Sequence, residues 1–322
     1  MVFFFSGPFV FLTDILNCII CIHLKKFDQT MKIAISGSTG FIGKELSDFL
    51  LQSGNELIVI SRGDFAGGSN QLAKVINSAD VIINLAGASV LRKWSAINKQ
   101  LILSSRVETT QLLVKAVQLN LPGNSPKIFI NASAIGIYKN SGIHDEFSRS
   151  FGNDFLAKVC KAWEAETDPL KKTKVRLCIL RSGVVLGPTG GTLAKLLPLF
   201  KFGLGGKLGT GEQPFSFIHI VDFCRAVEHL IAREKSSGLY NLVSPSPTTN
   251  GLFTKALSGN FHFPAWLTVP RFALKLIYGE ASGMLVEGAT VKPARLLDEG
   301  FKFMFPDISS ALTDLVAKSR KK

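Results

Sequence analysis

Apolar and polar positions alternate along this chain in two recurring patterns. Short, continuously apolar runs are each followed by a longer stretch with apolar residues three or four apart. Lys32–Ser36 is the first such run and predicts a strand. Ile42, Leu46, Phe49 and Leu50 then fall on one face of an amphipathic helix, and Gly54-Asn55 ends it. Glu56–Ser61 reads as the next strand. Asp80–Ala86 (DVIINLA), Lys127–Ser133 (KIFINAS) and Val175–Arg181 are further strands of the fully apolar kind expected in a parallel sheet covered on both faces. Helices are predicted over Ser95–Leu119 and Asp154–Thr167. Residues 63–79 are short for a complete strand–helix repeat, so a third strand there is expected to be vestigial. The alternation argues for an α/β, Rossmann-type doubly wound parallel sheet.

Beyond Leu186 the pattern changes. A loop at Gly187–Gly191 leads to a helix at Thr192–Phe202 and a glycine-rich loop at Gly203–Gly211. A strand at Phe215–Ile220, a helix at Phe223–Arg233 capped by Asp222, and a strand at Leu239–Val243 follow. Apolar helices near 269–278 and 308–317 complete a smaller, mostly helical C-terminal part on the substrate side. The expected division is a hydrophobic prefix at 1–30 outside the fold, a nucleotide-binding domain at 31–245, and a cap at 246–322.

The turn between the first strand and helix carries the chemistry. Gly37-Ser38-Thr39-Gly40-Phe41-Ile42-Gly43 sits between a strand and a helix, with the next strand in place, which is the dinucleotide-binding arrangement. Gly37 permits the tight turn, Gly40 lets backbone approach a pyrophosphate, and Gly43 lets the helix pack close to the sheet. Free N–H groups at the helix start then meet a negative charge. An NAD site places Asp or Glu at the end of the second strand to hold the ribose 2′-hydroxyl. Here Ser61-Arg62 stands there, and the first acid is Asp64. A hydroxyl and a cation suit a 2′-phosphate, so NADP(H) is the expected cofactor. Gly87 ends the DVIINLA strand on the edge where ligands bind.

Composition changes this picture little. The 322 residues, 46% of them apolar, can bury a large core. The net charge of +13 comes from scattered Lys and Arg, with no stripe of the kind that reads nucleic acid, so none is expected as a partner. Five cysteines are too few and too scattered for a disulfide scaffold, and Cys18 and Cys21 lack the second pair that would complete a zinc site. No metal is expected, and a reducing, cytoplasmic setting is. Val2–Leu24 is nearly long enough to span a bilayer. It reads as a membrane anchor, a targeting segment or a stretch upstream of a start at Met31, so membrane contact is expected only through residues 1–30.

Taken together, GSTGFIG, VISR, NLAGA, SSRVETTQLL, LRSGVVLG, FGLGGKLGTGEQPFSFIHIVD and GEASGMLVEGATVKPARLLDEGFKFMFP resemble the epimerase family proteins. These are extended short-chain dehydrogenase/reductase relatives. The resemblance runs from Met31 to about Leu315. It implies a Rossmann fold, NADP(H) binding and a C-terminal substrate-side domain. By position it implies that Leu85 and Ala86 lie along the cofactor, that Leu101 and Arg106 face it from the long helix, and that Val185 lies near the nicotinamide. The chain departs at Ala88, where the family usually has Glu, and at Leu101, often polar in the family.

Short-chain dehydrogenases pass a proton through a Tyr whose pKa is lowered by a Lys four residues on. This chain has Tyr138, Tyr240 and Tyr278, followed at that spacing by Gly142, Ser244 and Ser282. The usual pair is therefore missing. Ser133 stands where a substrate-orienting serine belongs, and Tyr138 lies in the loop after it; these are the catalytic candidates. His219 reads better as a core histidine. Two functions compete: an NADP(H)-dependent oxidoreductase or epimerase acting on a small carbonyl or alcohol, and a non-catalytic NADP(H) sensor.

Overall fold

The computed structural model describes residues 30–120, 126–263 and 266–320. The prefix, including Cys18 and Cys21, lies outside the described residues. The chain runs β1 (Lys32–Ser36), α1 (Phe41–Gln52), β2 (Glu56–Ile60), α2 (Arg62–Ala66), α3 (Gly68–Val75), β3 (Val81–Asn84), α4 (Ala96–Leu119) and β4 (Ile128–Ala134). It continues through β5 (Ile143–His144), α5 (Phe155–Ala165), β6 (Arg176–Ser182), β7 (Val184–Leu186), α6 (Gly191–Lys201), β8 (Gly206–Leu208), β9 (Phe217–His219), α7 (Ile220–Ala232) and β10 (Gly238–Leu242). The C-terminal part holds α8 (Asn250–Gly259), β11 (Leu267–Val269), α9 (Arg271–Tyr278), α10 (Gly283–Val286), β12 (Thr290–Val291), α11 (Ala294–Asp298) and α12 (Ile308–Arg320).

Six strands form one parallel sheet in the order β10-β6-β4-β3-β1-β2. Strand order reverses beside β1, which opens a crevice at the carboxyl ends of β1 and β3. Both faces are covered. Ile33, Ile35, Val81, Ile83, Ile130 and Leu180 point to a core shared with α1, α7, α8 and α12. Ala34, Ile82, Phe129, Leu177 and Ile179 point to the other, built with α3 and α4. Alternate residues of each strand feed opposite cores, so every strand must be apolar throughout. Helices α8 and α12 share the first core with the sheet, which welds much of the C-terminal part onto it. Arg295 of α11 donates to the Leu239 carbonyl and stacks on Tyr240, which covers the edge strand β10.

Two local readings need correction. No strand lies between β2 and β3; α2 and α3 fill that interval. Asp222 does not cap α7. The helix starts earlier, at Ile220, and His219 is its N-cap, accepting from the Val221 N–H. Asp222 is wholly buried and accepts instead from the Met304 and Phe305 N–H groups, both at 2.8 Å. Among the described residues, no helix is long and apolar enough to cross a membrane.

Candidate functional site

At the crevice, β1 ends in Ser36 and the chain turns through Gly37 with φ of 74°. A Cβ there would lie 2.8 Å from the Leu85 carbonyl carbon, so glycine is required both by the turn and by the neighbouring strand end. A Cβ on Gly43 would come within 2.1 Å of the Gly37 oxygen. The first turn of α1 can sit this close to the loop only because Gly43 has none. Gly40 is the N-cap of α1 and has no side chain to satisfy the first N–H groups. Those donors, with the positive end of a 12-residue helix, are left for an anion. Ser38 and Thr39 form the tip of the turn, and Ile42 faces the core. The Phe41 ring leans away from the turn into a cradle of Gly187, Gly190 and Gly191, where added Cβ atoms would meet it at 2.5, 2.6 and 3.2 Å. Thr189 ties that loop to α1 by donating to Glu45.

At the end of β2, Ser61 and Asp64 form a reciprocal cap on α2. The Ser61 N–H and hydroxyl both donate to one Asp64 oxygen, at 2.8 and 2.6 Å. Those bonds hold the Asp64 carboxyl below its usual range. The first acid after β2 is thus committed to capping. Arg62 beside it is exposed and makes no hydrogen bond or ion pair among the described residues.

A buried polar layer lies under the crevice that the strand patterns did not reveal. Ser36 donates to Asn84 at 2.7 Å, and the Asn84 amide donates to Asn131 and Thr110, both at 2.8 Å. Trp163 donates to the same Thr110 oxygen. The available signal was the polar residue closing each apolar run, at Ser36, Asn84 and Asn131. This layer locks β1, β3, β4 and α4 together where a ligand would rest. Above it, Leu85 extends the ladder by donating to Ser36. Ala86 follows, and the Arg106 guanidinium lies against Gly87. Arg106 donates to the Ala88 and Ile102 carbonyls and stacks on Trp163, while Ser105 accepts from the Ala88 N–H. In this structure Arg106 therefore clamps the crevice-side loop. Leu101 is exposed on the same helix, one turn earlier. Val185 is buried between β9 and the first core, with its carbonyl toward Gly191.

The two catalytic candidates are tied into a second network. Ser133, nearly buried at the end of β4, donates to Glu164 at 2.6 Å. Arg181 grips the same carboxylate with two bonds of 2.8 and 2.7 Å. Burial works against the Arg181 charge, but Glu164 more than offsets it and holds the guanidinium's pKa high. Arg181 also donates to the Tyr138 hydroxyl at 3.0 Å and lies over its ring. Tyr138 is 0% exposed and lies within hydrogen-bond distance of the Asp145 carbonyl and Asn241 as well. Burial, partly opposed by Arg181, raises its pKa. A catalytic tyrosine needs access and a lowered pKa, and Tyr138 has neither. Both candidates are thus held by partners in this structure, the Ser133 hydroxyl by Glu164 and the Tyr138 hydroxyl by Arg181. A cavity of about 580 Å³ lies behind this pair, lined by Glu164, Arg181, Leu170, Ile179 and Leu239, away from the glycine turn.

His219 is buried as expected of a core histidine. Its Nδ1 accepts from Val221, so the proton sits on Nε2 and is donated to Asp314 at 3.1 Å. Burial, against the attraction of Asp314, lowers its pKa to about 4. Cys160, Cys178 and Cys224 are free, buried and far from reactive, with Cys160 pushed up to about 12 by burial. Among the described residues no cluster of His, Cys, Asp or Glu could hold a metal.

The C-terminal part reaches over the segment that leaves β3. Lys99, near the start of α4, pairs with Glu280 at 2.5 Å and lies over the Phe155 ring. Lys93 reaches Gly279. Tyr278, at the end of α9, adjoins this contact.

A parallel sheet with a glycine turn at its switch point defines a Rossmann-type dinucleotide-binding protein. Comparison with known proteins narrows the class. Residues 33–242 match the model of the NAD dependent epimerase/dehydratase family, and residues 269–315 match a domain of unknown function (DUF1731). The chain belongs to the NAD dependent epimerase/dehydratase family. Epimerase family protein SDR39U1 of Mus musculus is 35% identical over 89% of this chain and 100% of its own. The SDR39U1 homolog of Arabidopsis thaliana, named as chloroplastic, is 33% identical over 88% of this chain and 86% of its own. The crystal structure of human SDR39U1 (isoform 2) with NADPH superposes with a TM-score of 0.83 at 33% identity, covering 89% of this chain and 99% of that one.

Proposed function

We propose that this protein binds NADP(H) in the β1–α1–β2 crevice and uses it to reduce or oxidise a small carbonyl or alcohol. The observation that carries this is the glycine turn. Gly37 and Gly43 sit where any Cβ would collide with backbone, and the N-terminus of α1 has no side-chain cap. The residues fit the cofactor. N–H groups from Phe41 to Gly43 would hold its pyrophosphate, with Ser38 and Thr39 at the tip. Arg62 would hold the 2′-phosphate, because Asp64 is turned to its own helix cap. Leu85, Ala86 and Gly87 would form the floor. Leu101 and Val185 are further proposed contacts, and Arg106 positions the floor through Ala88. The NADPH in human SDR39U1, at 33% identity, supports the choice of cofactor. When bound, the nicotinamide supplies or accepts a hydride. Tyr138 and Tyr240 are both fully buried, so water is the proposed source of the proton. The buried free cysteines support a reducing compartment, cytoplasm or organelle interior.

A second reading, a non-catalytic NADP(H) sensor, is favoured by one observation: Ser133 and Tyr138 are both committed to the Glu164–Arg181 network. Titration with NADPH followed by a panel of carbonyl substrates separates the two. Sustained NADPH oxidation with any substrate rejects the sensor. Tight binding with no turnover across the panel rejects the oxidoreductase.

A further inference from the structure

Residues 191–211 and 259–279 contain no Asp or Glu; their charged residues are Lys195, Lys201, Lys207, Arg271 and Lys275. The two stretches form one surface. Strands β8 and β11 pair with Leu267 opposite Gly206, and the Phe263 ring lies against Gly203. Large apolar side chains stand out from this surface: Phe202 is 73% exposed, Trp266 73%, Phe272 76% and Leu276 84%, with Leu204 and Ile277 also exposed. Phe272 and Leu276 are one turn apart and share a face of α9. The buried residue of that helix is Leu274. Exposed apolar side chains grouped in this way mark a surface that meets something.

Charge decides what. A two-fold contact between copies would lay this surface on itself and set cations against cations. An anionic bilayer instead offers the opposite charge to the lysines and an interfacial layer to the tryptophan. We propose that this ridge docks the protein on an anionic membrane surface. Trp266, Phe272, Leu276 and Ile277 enter the boundary between headgroups and acyl chains, and Lys201, Lys207 and Lys275 meet lipid phosphates. Arg271 sits at the rim, paired with Glu287. Docking by this route does not use residues 1–30. The helix α9 leads directly into Gly279 and Glu280, which lie beside Lys93 and Lys99.

The test uses the full chain with vesicles of phosphatidylcholine alone or with about 30 mol% phosphatidylserine. Flotation should show binding to the serine-containing vesicles, weakened by salt and about tenfold or more weaker in the W266S/F272S/L276S variant. Residues 1–29 are the same in both proteins, so the difference reads the ridge. Brominated lipid should quench tryptophan emission in the wild type, and W266F should remove that quenching. Circular dichroism checks that the variants fold. Equal binding of wild type and variant, equal binding to both vesicles, or unquenched Trp266 overturns the proposal. So does a dimer or an acidic protein complex that the triple variant abolishes while vesicle binding stays unchanged.

Discussion

The carboxyl ends of β1 and β4 lie in the same sheet and are finished in opposite ways. At β1 the chain leaves donors open: Gly40 provides no cap for α1, and Arg62 nearby has no partner among the described residues. At β4 the polar groups are consumed: Ser133, Glu164, Arg181, Tyr138 and Asn241 satisfy one another, with Glu164 alone part-exposed at the cavity edge. Open donors on a rigid frame make a binding site. A closed network makes a scaffold, even where it includes residues that carry catalysis in related folds. The first region therefore carries the functional claim, and the second sets the stability of the fold beneath it.

The sharpest way to break this contrast is to open the closed network. Glu164→Ala leaves Arg181 buried without its counter-charge, and a loss of about 3–5 kcal/mol in urea unfolding is expected. A loss below about 1 kcal/mol would mean the pair is solvated. On the open side, Gly43→Ala forces a Cβ to within 2.1 Å of the Gly37 oxygen. NADPH affinity should fall about a hundredfold or more, worth roughly 2.7 kcal/mol, in an isothermal titration.

His219 adds a pH test. Its folded pKa, about 4, lies below its ordinary value of 6.5. The unfolded chain takes up a proton in that window and the folded chain does not, so stability falls as pH drops from 6.5 towards 4 and levels off below. The full effect is on the order of 3 kcal/mol. Subtracting the pH profile of His219→Gln from that of the wild type isolates it; identical slopes would show the imidazole to be solvated. The smallest effect is expected of Tyr138→Phe. Losing one hydrogen-bonded hydroxyl should cost about 1–2 kcal/mol and leave NADPH affinity unchanged. A collapse of turnover without loss of stability would return Tyr138 to the chemistry.

The sheet strands and the β1–α1 turn were legible in the sequence because their causes are local. Continuous apolar runs and glycines at fixed offsets act within a few residues. What escaped depends on long-range partners. Glu164 meets Ser133 across 31 residues, and Arg181 meets Tyr138 across 43, so no window around Tyr138 reveals its burial. Asp222 beside an apolar run looked like a cap; its true partners, Met304 and Phe305, come from the far end of the chain. The interval after β2 was legible as too short for strand and helix, but not as the two helices that occupy it. The three-residue strands β7, β8 and β11 carry too little pattern to separate from loop, whereas β9 falls inside the strand expected at Phe215–Ile220.

The central claim is that the open donors at β1 and the exposed Arg62 at β2 hold NADP(H). Its most direct test is a paired fluorescence titration of wild type and Arg62→Ala with NADPH and NADH. The account predicts that the wild type prefers NADPH, and that Arg62→Ala loses about tenfold or more in NADPH affinity while NADH binding is unchanged. Equal affinity for both cofactors in both proteins, or binding of neither, would contradict it.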